Sequence, residues 1–454
     1  MNWLTDSVKS CVKASHEPKN TGERATLNTT PTSVTDAESE TTSRPKEAEQ
    51  ADKCRLECLP PEVRRYILSI LDLSHLSALV HASPTFHQQY LVDRMYLLCK
   101  SLETTIGCLT VEAYAVHRLY APRNTSDFLE WYSEKCSQRA VAITDDLTEG
   151  VASTIAGFYL CSVKPLVEDC ARRMLVNLAK SAGNNHGDQQ KIRPSRTEMM
   201  RLTRAAYRFQ LLCQLTSPER TLRSSTEENL QALLNIIEPW EIEELFAFYQ
   251  LVLDVYDKVF TDIYWDLHPD NPKFDDQGRP PTPDGAFDLD TGFVRDNFLE
   301  GTAIRGLTLL HRVLFQIKEH EHLVSTMQKR IQSSYIPINS MVGIFGETQQ
   351  IIRRQEQPSE RDQMEADRVP LVFVRDELDR PPRAWTMIWG DTYSNVYGSH
   401  IPDEMRGWGY VFWDEATLER TGGAELLRHQ WEECWGDYDP REDFVRFEED
   451  SLDE

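Results

Sequence analysis

The run Lys318-Glu319-His320-Glu321-His322 carries the residue types of a metal site. On a helix, however, residues two apart point about 200° away from each other, so His320 and His322 do not share one ion and the run reads as a solvated face. Asp254, Asp257, Asp262 and Asp266 could hold Mg²⁺, and Asp262 and Asp266 do share a helix face at i, i+4. A magnesium site usually needs a second acidic cluster and a phosphate-bearing substrate, and no second cluster of matching pattern occurs. His75, His81 and His87 recur every sixth residue, which is not a helical face, and read as isolated packing or surface side chains. Cys54-x-x-x-Cys58 has no second Cys or His pair to complete a zinc site. There is no GxSxG, P-loop or GxGxxG. The expectation is a chain without catalytic residues, metal or cofactor.

Two features could bind rather than react. Lys191, Arg193, Arg196, Arg201, Arg204 and Arg208 form the one basic patch, with Glu198 alone opposing, and Arg201, Arg204 and Arg208 share a helix face. A nucleic-acid site lacks any accompanying motif. A solvated face is the default reading, and an internal docking face for acidic segments is the next. Trp385, Trp389, Trp408, Trp413, Trp431 and Trp435 place six of the ten tryptophans in the last seventy residues. They read as the core of a small irregular unit in preference to a ligand cage, since each buries a large area for one residue.

Composition sets the frame for these elements. At 454 residues the chain exceeds one compact core, and its 40% hydrophobic content supports more than one folded unit. Seventy-three Asp and Glu against 49 Lys and Arg give a net charge of −24, which repels nucleic-acid phosphates and anionic membranes. Ten scattered cysteines without a CxxC fit a reducing compartment. No signal-like leader and no stretch near the ~18 apolar residues of a membrane span is evident, so the expected location is cytoplasmic or nuclear.

The elements themselves read as mainly α. Residues 1–53 are expected to be a disordered N-terminal tail, because 13–53 hold only Leu27 and Val34 as large apolar residues. Residues 54–108 predict a trio of short helices. Pro60-Pro61 opens the first with Val63, Tyr66, Ile67, Ile70 and Leu71 as its stripe; Ser74 caps the second, and Ser83-Pro84 starts the third, which runs on through Leu102. Residues 109–352 predict a large helical domain, with capping boxes at Ser195-x-x-Glu198 and Ser225-x-x-Glu228, a long helix from Pro239, further helices near 110–119, 126–140, 148–160, 163–180, 293–316 and 319–332, and a loop at 268–292. Residues 353–369 predict an exposed connection. A Trp-rich unit spans 370–440, with short strands at Leu371–Val374 and Tyr410–Trp413 and helices at Asp414–Arg420 and Ala424–Trp435. An acidic tail, 441–454, ends the chain.

The segment from Leu56 to Phe86 resembles an F-box. Leu59-Pro60-x-Glu62 matches the family's opening; Val63, Ile67, Leu68 and Leu71 match its first helix; Leu76, Leu79 and Val80 match its second; and Ser83-x-x-Phe86 falls where the family has Ser and a large aromatic. Leu79 to His87 looks like the F-box-like domains of filamentous-fungal proteins. Phe86 stands where Trp is usual, and Val63 where Ile is common. The resemblance implies a module that docks to the small adaptor of a cullin–RING ubiquitin ligase while the rest of the chain recruits an unknown protein substrate. On that basis Leu59, Pro60, Val63, Leu68, Leu71 and Leu76 are the expected partner-binding residues, and Ile67, Ile70 and Leu79 are expected to face the trio's own core. The alternative is a helical scaffold with no ligase link, in which Leu59, Pro60 and Leu76 are buried against the rest of the chain.

Overall fold

The computed structural model describes residues 55–119, 125–138, 147–183, 193–217, 223–278, 282, 285–333, 354 and 358–442. The N-terminal tail 1–53 and most of the acidic tail lie outside these residues. The described chain is mainly α, and no strand occurs in it; Pro370 and Thr392 meet in a single antiparallel bridge. The two expected strands are therefore absent. Leu371–Val374 pairs with nothing beyond that bridge, and Tyr410–Phe412 is a 3₁₀ turn entered through Gly409 at φ 72°.

The chain divides into two units, one of residues up to 107 together with 144–158, the other holding the remainder. The first unit has four consecutive helices, Pro61–Ser69, Leu73–Ala82, Pro84–Val92 and Arg94–Ile106, joined by Glu149–Phe158. The sequence predicts three in the first stretch; the third is broken at Asp93. Pro61 starts the first helix where its missing N–H would be unpaired anyway. The second is capped by Asp72, not Ser74: the Asp72 carboxylate accepts from the N–H groups of Ser74 and His75, both at 2.9 Å. Ser83 caps the third, accepting from Phe86 N–H. Leu68, Leu73, Leu76, Val80, Phe86, Tyr90, Leu97, Leu98 and Leu102 make the core.

In the second unit, Arg196–Leu215 lies at the centre, against Thr110–Leu119, Lys164–Ser181 and Pro239–Leu267. Ser195 and Glu198 complete the capping box the sequence predicts. The expected helix over 293–316 is interrupted. Gly306, at φ 83°, separates Gly292–Ala303 from Leu307–His311, and Gln210 Oε1 accepts the Leu307 N–H at 2.9 Å. In the described parts of 268–292, Phe274, Phe287 and Leu289 are buried.

Two further expectations need correction. Within the supposed exposed connection 353–369, Glu360–Ala366 is a helix whose Asp362 and Glu365 are buried; they pair with Arg354 and accept bonds from Asn395 and Ser394. The uninterrupted helical stretch Glu149–Ser181 contains an apolar window long enough, by length and composition, to cross a membrane. Its Ala152, Ile155, Ala156, Val163, Leu166 and Val167 are nonetheless buried inside the protein.

Candidate functional site

In the first unit, the Pro61–Ser69 helix divides into two faces. Leu68 is 0% exposed and joins Leu76, at 1%, in the core. On the opposite face Val63, Tyr66 and Ile70 are 41%, 66% and 54% exposed, spaced i, i+3, i+7 so that they form one stripe. Leu56 and Pro60 are exposed beside them in sequence, while Leu59, Ile67, Leu71 and Leu79 are partly covered. The expected division between docking and core residues is thus partly reversed. Leu68 and Leu76 face inward and Ile70 faces solvent, because the helix presents its Leu68 side to the helices 84–92 and 94–106. Spacing alone does not reveal which stripe of an amphipathic helix its neighbours will cover.

Polar contacts hold this face in place. Arg64 Nη1 donates to the carbonyls of Glu57 at 2.9 Å and Leu59 at 2.7 Å, closing the turn that precedes the helix. Ser83 donates to the Glu57 carboxylate, tying that turn to the cap of the third helix. Ser101 Oγ donates to Leu71 O at 2.8 Å, and Leu73 N–H to Thr105 Oγ1 at 2.9 Å. The loop between the first two helices is anchored at both ends. A further exposed apolar pair, Leu91 and Val92, ends the third helix.

The basic patch of the second unit divides: Arg193 and Arg196 are exposed, Lys191 lies outside the described residues, and the other three arginines do not form a solvated face. Arg201, Arg204 and Arg208 are among the most deeply buried side chains of the chain. Arg201 reaches Asp414 at 3.0 Å; Arg204 reaches Glu241 at 2.7 Å and Glu244 at 2.6 Å; Arg208 reaches Glu241 at 3.1 Å and Glu112 at 3.3 Å. Arg201, Arg204 and Arg208 thus form the internal docking face for acidic segments, the alternative to a solvated one. Between Glu241 and Glu244 on the same helix, Glu243 takes two bonds from Arg406, at 2.9 and 3.0 Å, and a third from Gly398 N–H at 2.8 Å. Burial opposes the charge on Arg204, yet Glu244 and Glu241 offset it and hold its pKa above the ordinary arginine value. Burial pushes the Asp414 carboxyl up to about 6, against the pull of Ser195 and Arg201.

Sequence reasoning missed Glu112, Glu241, Glu243 and Glu244. The signal was present: Glu241-x-Glu243-Glu244 sits in an otherwise apolar run, and three arginines on one helix face need counterions if that face is covered.

The remaining candidates do not converge. His320 pairs with Asp266 at 2.9 Å, and Asp257 with Arg295 at 2.8 Å, all near the surface. Among the described residues no group of three His, Cys, Asp or Glu is placed to hold a metal ion. Of the six C-terminal tryptophans, Trp385, Trp389, Trp408 and Trp413 are buried, whereas Trp431 and Trp435 are partly exposed. No protein-family model, no curated protein and no solved structure matches this chain.

Proposed function

We propose that this chain is a protein–protein interaction adaptor. In this reading its F-box-like first unit docks to the small adaptor of a cullin–RING ubiquitin ligase, in the cytoplasm or nucleus, and the helical second unit recruits a protein substrate, without catalytic residues of its own. The observation that supports it is the exposed apolar stripe Val63, Tyr66 and Ile70, with Leu56 and Pro60, on a proline-started helix. Large side chains left in water on a stiff helix suit a helix-in-groove contact, where a few apolar anchors supply most of the affinity. The docking residues become Leu56, Leu59, Pro60, Val63, Tyr66 and Ile70; Leu68 and Leu76 support them from the core, and Leu71 lies at the boundary.

A pull-down with the purified adaptor subunit tests this. Wild type is expected to bind and a Val63→Asp/Ile70→Asp variant, with both changes on the surface, to lose binding while keeping its helical content. Failure of a well-folded wild type to bind would sink the ligase reading. That result would favour a helical scaffold, the reading that expects Leu59, Pro60 and Leu76 all to be buried; of these Leu76 is buried, Leu59 is partly covered and Pro60 is exposed.

A further inference from the structure

Two cysteines of the second unit open on one depression. Cys108 is exposed, in the 3₁₀ turn Gly107–Leu109, and Cys136 is buried, in the last turn of the helix Thr125–Ser137; both are thiols. The depression, of about 280 Å³, has Leu109, Val111 and Leu378 in its walls beside them. Both cysteines sit at the ends of their elements, which adjust to disulfide geometry more readily than helix interiors do.

A second relationship brings the two together. Arg208 pairs with Glu112 at 3.3 Å, and Glu112 stands four residues beyond Cys108. Burial opposes the charge on Arg208, while Glu241, Tyr132, Glu112 and Cys136 hold its pKa well above the ordinary arginine value. Cys136 and Tyr132, one turn apart on their helix, are therefore neighbours of the same guanidinium. The two thiols flank one buried ion pair.

Their access differs. Cys108 meets solvent, where an oxidant arrives, whereas Cys136 is 7% exposed. One reachable thiol and one covered thiol on a shared space suit a redox-sensing pair, in which the first takes the oxidant and the second displaces the product. Other buried cysteines are of a different kind. Burial pushes the Cys170 thiol up to about 12 and the Cys213 thiol well above its ordinary value, so both are inert packing residues.

We propose that Cys108 and Cys136 form a reversible disulfide when the protein meets a hydroperoxide. The Cys108 thiolate attacks the peroxide: an S–O bond forms, the O–O bond breaks, and water or an alcohol leaves with the proton the thiol gave up. The Cys136 thiolate then attacks the sulfenic sulfur, forming S–S and breaking S–O, and the departing hydroxide takes the second proton as water. The dithiol loses two electrons and the hydroperoxide gains them. The new bond fastens the Thr125–Ser137 helix to the turn ahead of Thr110–Leu119 and restrains the unfolded chain, so oxidation stabilises the second unit. Thiol reductants reverse it. The pair lies wholly in the second unit, and its chemistry is independent of ligase docking.

The test exposes the fully reduced full chain to excess hydrogen peroxide, blocks remaining thiols by alkylation and digests without reductant for mass spectrometry. The expected product is a peptide linking Cys108 to Cys136, two hydrogens lighter than its separate halves and lost on treatment with dithiothreitol. The oxidised chain is expected to unfold at a higher temperature than the reduced one. Cys136→Ser is expected to leave Cys108 as a sulfenic acid, captured by dimedone, and Cys108→Ser to leave Cys136 reduced. Exposed Cys58 and Cys434 serve as internal controls, expected to oxidise without a specific partner. Oxidation of wild-type Cys108 with Cys136 still reduced would overturn the pair. So would a Cys108 that resists the peroxide, or one linked to Cys58 or Cys434 as often as to Cys136. Should either Ser variant fail to fold, the peptide map of the wild type decides the question.

Discussion

Arg204 and Glu244 meet through two parallel bonds, Nε to Oε2 at 2.8 Å and Nη2 to Oε1 at 2.6 Å, with both side chains buried. The same guanidinium bonds Glu241 at 2.7 Å and the Leu378 carbonyl at 2.6 Å. One arginine therefore joins three parts of the second unit: its own helix, the start of Pro239–Leu267, and the Trp-rich region at Leu378. Arg201 and Arg208 extend the ladder to Asp414 and Glu112.

Removing one member of such a pair leaves a buried charge without compensation. Arg204→Met is expected to cost about 3–5 kcal/mol. Arg204→Met/Glu244→Leu is expected to cost less than the two single changes added together, because the second change removes the charge the first one strands. Urea unfolding of the three variants beside wild type measures the coupling, and strict additivity would show that the pair does not act as a unit.

Leu76, fully enclosed between helices of the first unit, lies beneath the exposed stripe of Val63, Tyr66 and Ile70 without belonging to it. Leu76→Ala is expected to destabilise that unit by about 2–5 kcal/mol, through lost burial and the cavity left behind. Tyr66→Ser, on the exposed side, is expected to change stability by less than about 0.5 kcal/mol. Thermal unfolding separates the two, and comparable losses would mean that the Tyr66 face is covered in solution.

The raised pKa of Asp414 gives a pH signature of defined sign. A carboxyl whose pKa is higher folded than unfolded binds its proton more tightly in the native state, so its contribution to stability falls as pH rises from about 4 to about 6 and is constant above. Replacing it by Asn removes that decline. The stability of Asp414→Asn relative to wild type is therefore expected to rise across this window, measured by urea midpoints at half-unit steps. A difference independent of pH would contradict the assignment.

Gly306 sits at φ 83°, and a Cβ there would lie 2.7 Å from Gln210 Oε1, the oxygen that accepts the Leu307 N–H. Gly306→Ala is expected to cost about 1–3 kcal/mol through backbone strain and the displaced acceptor. Gln210→Leu should lose the hydrogen bond alone. Midpoints of chemical unfolding for the two variants and their combination show whether the penalties share a cause.

The mainly α character and most helix positions were legible in the residues themselves. Pro61 and Ser83-Pro84 mark helix starts by local backbone chemistry, and the Ser195–Glu198 box depends only on residues three apart. Local signals fail where a contact remote in sequence decides. Leu68 and Ile70 are both apolar residues of one helix, and only the packing of neighbouring helices buries the first and exposes the second. Arg201, Arg204 and Arg208 read as a solvated stripe until Glu112, Glu241, Glu244 and Asp414 arrive from three other segments to neutralise them. Trp389 and Trp431 look alike in the sequence, yet the fold buries the first with Arg441 over its ring and leaves the second half-exposed. Periodicity and caps act within a few residues and so survive reading the chain as a string. Burial, charge pairing and the choice of which face stays wet are properties of what the chain brings together, and the tertiary structure decided them.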